Sequence, residues 1–344
     1  MKVYDTIIIG GGQAGLATAY FLRRIDVDYL MLDDKKHPGG AWLQTWNSLK
    51  LFSPTSYSSL PGWQMPKSAN EYPTKDEFID YITAYEKRYD FPIQRDTTVL
   101  EVIKEDAVFK VITDTETFYT KTVVSATGTA QNPFIPTYPN AADFSGTQIH
   151  SSEYKNTTSL TNKKVLIVGG GNSGAQILAE VSKVAKTKWV TLQPPSFLPP
   201  DVDGRYLFNQ ANAVYFNTSE KPKKASLSDI VQVAAVKEGL ERDIFNAVRP
   251  FEAFYENGVI WENGEKEPFD VIIWCTGFKA SLDHLQPLAI QKNNRIETKQ
   301  TNVTAQPGLW LVGYGNWTGF ASATIYGVGK TAKDTAQEIK EFLS

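Results

Sequence analysis

Residues 5–16 read DTIIIGGGQAGL and residues 165–176 read VLIVGGGNSGAQ. Each is an apolar run followed by G-x-G-x-x-G: Gly10, Gly12 and Gly15 in the first, Gly169, Gly171 and Gly174 in the second. At this spacing the first glycine permits a tight strand-to-helix turn. The second lets backbone approach a pyrophosphate, and the third lets helix and strand pack closely. The phosphates then face unpaired N–H groups and the positive end of a helix dipole. Gln13 and Ala14, like Asn172 and Ser173, fill the turn between second and third glycines and complete two cofactor-binding sets. One such motif suggests a dehydrogenase. Two suggest a flavoprotein that takes hydride from a nicotinamide, with the two rings meeting where domains join.

The elements that must hold these residues follow from pattern. TIIIG is a β-branched run suited to a buried parallel strand, and Leu16, Ala19 and Tyr20 repeat at helical spacing after it. A second strand, DYLMLDD, ends at Asp33, 18 residues past Gly15, where a carboxylate accepts from ribose hydroxyls; Asp34 competes for that role. Next comes the HPGGAW turn, with Gly40, Ala41 and Trp42 as cofactor candidates. From 42 to about 75 the chain is irregular but rich in aromatics, which marks a functional segment, a wall for a dry site. PTKDEFIDYITAYEKRYD predicts an amphipathic helix with Phe78, Ile82 and Tyr85 on one face. Residues 98–125 alternate as a small antiparallel meander ending at Thr127-Gly128, and a matching ending stands at Thr276-Gly277. The C-terminal stretch reads as a strand, a glycine loop and a helix. Val328, Ala332, Ala336, Ile339 and Leu343 share a face, and the helix N-terminus is expected around Ser322 and Ala323.

The fold class is therefore α/β, with two Rossmann-like dinucleotide-binding domains. An FAD-binding domain with a small β-meander is expected over 1–158 and again over 281–344, and an inserted NAD(P)H-binding domain over 159–280. At 344 residues the chain exceeds one comfortable core. A net charge of −3 carries no basic footprint for nucleic acid. The single cysteine, Cys275, excludes an internal disulfide or a C-x-x-C redox pair, and its apolar strand predicts a packed thiol. No apolar run approaches a membrane span, and MKVYDTIIIG runs straight into a strand without a signal peptide, so a cytoplasmic protein is expected. A homodimer is an assembly that these features leave open. No His/Cys/Asp cluster has metal-ligand spacing.

Ahead of the second glycine turn, FSGTQIHSSEYK places Phe144, Gly146, His150, Tyr154 and Lys155 in the order F-x-G-x-x-x-H-x-x-x-Y-K. This resembles the hallmark of class B flavoprotein monooxygenases, and its Tyr-Lys ending is similar to that of flavin-containing monooxygenases, the chain looking like a small bacterial member. The GGAW turn, both glycine motifs, ATG and CTGF extend the resemblance over nearly the whole chain. The resemblance implies FAD reduced by NADPH or NADH, molecular oxygen as co-substrate, and a flavin hydroperoxide that oxygenates a soft nucleophile such as a sulfide or amine. Larger members place an asparagine beside the flavin. Here LKLFSPTSY offers Phe52 and Ser53 as the catalytic candidates, with Asn47 earlier. That departure makes NAD(P)H oxidase or electron-transfer activity a competitor, and a flavin-binding accessory or sensor protein is a third reading. His150 is expected to bond backbone at the domain junction, and His37 and His284 to lie on the surface. The strand KWVTLQPP ends in Gln193, which discriminates poorly between the two nicotinamide nucleotides; Lys188 and Arg205 are the cations nearby in sequence.

Overall fold

A computed structural model describes residues 2–200, 202, 204, 229–292, 295–319 and 321–344. The first sheet contains β1 (Val3–Ile9), β2 (Tyr29–Leu32), β3 (Ile93–Gln94), β4 (Val99–Glu105), β5 (Val108–Thr113) and β6 (Thr117–Ser125). Strand β1 lies parallel between β2 and β6, while β4, β5 and β6 form the expected antiparallel meander. The C-terminal strand Leu309–Leu311 returns to this sheet, parallel to β6 with Leu309 opposite Val123. Helix α1 (Gln13–Leu22) follows β1, and α2 (Lys75–Tyr89) lies beside it.

Helix α2 shows why sequence dictates the local form. Thr74 accepts the Glu77 N–H while the Glu77 carboxylate accepts the Thr74 N–H, a reciprocal capping box. Acidic residues occupy its first turn and basic ones its last, as the dipole favours. Tyr81 joins Phe78, Ile82 and Tyr85 on the buried face.

The second sheet contains β7 (Thr147–His150), β8 (Lys164–Val168), β9 (Lys186–Val190) and β10 (Ala247–Val248), with α3 (Asn172–Val181) after β8 and α4 (Ala234–Glu241) before β10. A three-stranded meander, β11 (Ala253–Tyr255), β12 (Gly258–Ile260) and β13 (Lys266–Pro268), leads into β14 (Val271–Trp274). All five strands of the sheet are parallel, in the order β10-β9-β8-β14-β7. Strand β7 thus joins this sheet from ahead of residue 159, so the sheet begins earlier than the expected domain boundary.

Two sequence expectations need correction. The last helix, α5, spans Val328–Leu343, not a stretch from 322. Ala321 holds a left-handed φ of 56°, the Thr324 N–H donates to Ala321 O, and the Ser322 hydroxyl donates to Gly315 O. A turn therefore occupies those residues, and the helix starts after Gly327. His284 is not a surface residue either: it is 6% exposed, with Nε2 3.1 Å from the Ser125 hydroxyl. That hydroxyl lies 2.7 Å from Tyr314 Oη, which lies 2.7 Å from the Thr127 hydroxyl. Thr127 in turn donates to Ser281 O. Polar neighbours in sequence had suggested solvent, yet this chain of hydroxyls satisfies the imidazole inside.

Burial pushes the His284 pKa down to about 4. Unfolding restores an ordinary value near ~6.5, so the unfolded state binds the extra proton between those limits. Stability attributable to this residue is present above about pH 6.5 and is lost as pH falls through about 4, an effect of about 3 kcal/mol. Urea midpoints measured from pH 7 to 4 should fall less steeply in His284→Gln than in the parent. Parallel slopes would show that the imidazole is not the group titrating.

Candidate functional site

The first glycine turn joins β1 to α1. Gly10 has φ of 107°, and a Cβ there would sit 2.6 Å from Ala126 O. A Cβ on Gly15 would sit 1.9 Å from Gly10 O, so helix and strand touch where only glycine fits. Gly12 differs: its Cβ would meet only the Gly40 Cα, 3.9 Å away. No side chain caps α1, whose first N–H groups thus lack a side-chain acceptor. The second turn repeats the device. A Cβ on Gly169 would sit 2.2 Å from Cys275 O, one on Gly174 2.1 Å from Gly169 O, and one on Gly171 would meet nothing within 4 Å. Helix α3 likewise has no side-chain cap. Each turn offers a backbone cradle whose middle glycine position meets no clash, Gly171 facing open space and Gly12 lying within ordinary contact distance of Gly40, which fits a dinucleotide pyrophosphate.

Around the first cradle, Trp42 Nε1 donates to Gln13 Oε1 at 3.0 Å, and Gln13 Nε2 donates to Ala323 O at 2.8 Å. The GGAW turn, the start of α1 and the loop before α5 therefore converge, with Gly40 against Gly12 and exposed Ala41 beside Trp42. Ala14 packs on Gly313, and Ser322 is buried. Asp33 is buried and accepts from the Gly11 N–H, the Lys35 N–H at 2.9 Å and Arg95 at 3.1 Å. Arg95 also binds Glu86, whose pKa burial raises despite the arginine. Asp34 instead pairs with Lys35 and accepts from Gln131.

Around the second cradle, Asn172 is structural as well as near the turn: its amide donates to Asp229 O and accepts from the Val231 N–H. Ser173 follows it into α3, partly buried. Gln193 is exposed beyond β9. Lys188 is held by Glu267, and Arg205 lies outside the described residues.

Two linkers join the halves and are zipped together. Phe134 N–H donates to Gly277 O, Thr276 Oγ1 donates to Phe134 O, and the Ser281 N–H donates to Gly128 O. The Ser152 N–H donates to His150 Nδ1, which leaves the ring proton on Nε2 to donate to Gly277 O at 3.0 Å. His150 is 1% exposed and burial lowers its pKa, so it is a neutral hinge residue. Lys155 Nζ donates to Gln44 O at 2.6 Å, at the end of the GGAW turn. Sequence reasoning missed that tie, although Tyr-Lys closes the hallmark.

The aromatic stretch spans both halves. Leu51, Leu60 and Met65 enter the first core, while Trp46 and Phe52 pack against the second. Gly204 donates its N–H to Phe52 O at 3.0 Å. Ser53 is buried, its hydroxyl 3.0 Å from that of Ser58. The Tyr57 ring lies 5.2 Å from that of Tyr326, from the loop before α5, in a tilted contact. Cys275 packs at the second core, and burial pushes its thiol up to about 12, so it is no nucleophile. Among the described residues no helix is long and apolar enough to cross a membrane.

The family model "Pyridine nucleotide-disulphide oxidoreductase" matches residues 7–313. A flavin-containing monooxygenase from Stenotrophomonas maltophilia superposes with a TM-score of 0.93 at 39% identity, covering 100% of both chains. An uncharacterized oxidoreductase, CzcO, from Bacillus subtilis is 31% identical over 96% of this chain and 97% of its own. A probable indole-3-pyruvate monooxygenase, YUCCA4, from Arabidopsis thaliana is 27% identical over 98% of this chain and 90% of its own. With two glycine cradles, each at the end of a strand in a parallel region of its sheet, and these relatives over nearly its full length, the chain belongs to the pyridine nucleotide-disulphide oxidoreductase family and to the flavin-containing monooxygenases.

Proposed function

We propose that the protein is an FAD-dependent monooxygenase, driven by NADH or NADPH, that oxygenates soft nucleophiles such as sulfides and amines. The observation that carries this reading is the doubled cradle, in which Gly10 and Gly15, and again Gly169 and Gly174, leave no room for a side chain while Gly12 and Gly171 meet no clash. In it, the Gly12–Gly15 backbone holds the FAD pyrophosphate, and Asp33, aimed by its contact with Arg95, accepts from the ribose. Gly40, Trp42 and Gln13 close the flavin side, and the Gly171–Gly174 turn holds the nicotinamide nucleotide. Bound FAD supplies the passage of electrons from nicotinamide to oxygen. The chain's own part is to align the two nucleotides and keep water out, through the aromatic segment that seals the two halves. Disulfide reduction does not fit, because the lone Cys275 leaves no thiol pair.

One observation favours NAD(P)H oxidase activity as a second reading. Ser53 shares its hydroxyl with Ser58, and no asparagine stands in LKLFSPTSY to hold a reactive oxygen group. The partition between readings is measurable. With an aryl methyl sulfide present, most NADPH consumed should appear as sulfoxide and little as hydrogen peroxide. Full recovery as peroxide, with no sulfoxide, would replace the monooxygenase by the oxidase.

The exposed amide of Gln193 can donate to a phosphate or accept from a hydroxyl. Both nucleotides should therefore reduce the flavin with kcat/KM within roughly tenfold, or about 1.4 kcal/mol. Gln193→Arg should favour NADPH through a bidentate contact. A parent preference above about a hundredfold, roughly 2.7 kcal/mol, would contradict this.

A further inference from the structure

Neither an acid nor an arginine stands directly after β9, where the sequence reads Thr191-Leu192-Gln193, yet the fold brings an arginine there from another strand. Strand β10 pairs in parallel with β9, Val248 opposite Val190, and the pairing continues as the Thr191 N–H donates to Val248 O. Arg249 is the next residue. Its Nη1 donates to Thr191 O at 3.0 Å, which lays the guanidinium against the backbone leading to Gln193. Arg249 is exposed, and among the described residues no carboxylate forms an ion pair with its guanidinium. It also lines an open groove of about 390 Å³ with Val248, Pro250, Trp261, Glu262 and Asn263.

Strands β8, β9 and β10 are parallel, so their C-terminal ends and the Gly169–Gly174 turn share one edge of the sheet. In doubly wound sheets that edge is where the adenosine half of a dinucleotide lies, its ribose beside the end of the second strand. We infer that Arg249 reads the 2′-phosphate of NADPH, making it a specificity-determining residue that acts beside Gln193. A planar fork with free donors after one bond to Thr191 O suits a phosphate. Lys188 cannot compete, since Glu267 and the face of Trp261 hold its ammonium.

This inference rests on reading the inserted half as the nicotinamide-nucleotide domain. The test separates the two by using fragments instead of turnover. Calorimetry of the flavin-loaded protein with adenosine 2′,5′-bisphosphate and with 5′-AMP gives a ratio of affinities that isolates the 2′-phosphate. In Arg249→Ala the preference for the bisphosphate should fall threefold or more while 5′-AMP binding holds, and 5′-AMP binding also reports that the domain is folded. Arg249→Lys, which keeps charge but loses the fork, should lose at least half of that preference on a logarithmic scale if it replaces an alanine variant that fails to fold. A smaller change in the variant measured would overturn the role of Arg249. Failure of the parent protein to bind either fragment would overturn the domain reading, and the inference with it.

Discussion

Gly10 O and Gly169 O are the two points on which the molecule turns. Each carbonyl is approached by a helix so closely that a Cβ would lie about 2 Å from it, at Gly15 and at Gly174. Because no side chain can stand there, α1 and α3 begin directly over the ends of β1 and β8. Because the middle glycines carry no side chain either, the helix starts open onto space. Packing and binding thus make the same demand on neighbouring residues. Neighbouring strands complete the constraint: Ala126 O sits under Gly10 and Cys275 O under Gly169, which places ATG and CTG at equivalent corners of the two sheets. The lone cysteine sits just past the end of β14, where its carbonyl, not its thiol, faces Gly169.

The hallmark F-x-G-x-x-x-H-x-x-x-Y-K gains a physical meaning from the same geometry. Phe144 fills the outer core of the inserted half, and a Cβ on Gly146 would strike both its ring and Asp270 O. His150 bonds the corner carbonyl of Gly277, Tyr154 is buried with Trp46, and Lys155 grips the carbonyl that ends the GGAW turn. The motif is therefore a strap from the inserted sheet to the wall of the first cradle. Relative placement of the two cradles depends on it, along with the aromatic segment that contributes side chains to both cores.

Legibility in the sequence tracked how local the determining physics was. Both glycine turns, the meander, the amphipathic α2 and the face of α5 were readable, since turn chemistry and periodicity are local. The start of α5 was not, because Ala321 and the Ser322–Gly315 bond divert the chain where composition alone allows helix. His284 looked solvated from its neighbours, yet Ser125 and Tyr314, distant in sequence, enclose it. Arg249 was invisible for the same reason: β10 pairs through only two residues, and nothing near KWVTLQPP in sequence points to it. The site candidates Phe52 and Ser53 proved to lie where the two halves touch, through Gly204.

The central claim is a division of labour between two copies of one device. It is tested most directly by putting the same bulky side chain into each open glycine, Gly12→Leu and Gly171→Leu, and recording the flavin spectrum before and after anaerobic NADPH. The account predicts that the first variant is purified without flavin. It predicts that the second stays yellow and is bleached by dithionite, but not by NADPH. Loss of flavin from the Gly171 variant, or its normal reduction by NADPH, would contradict the account.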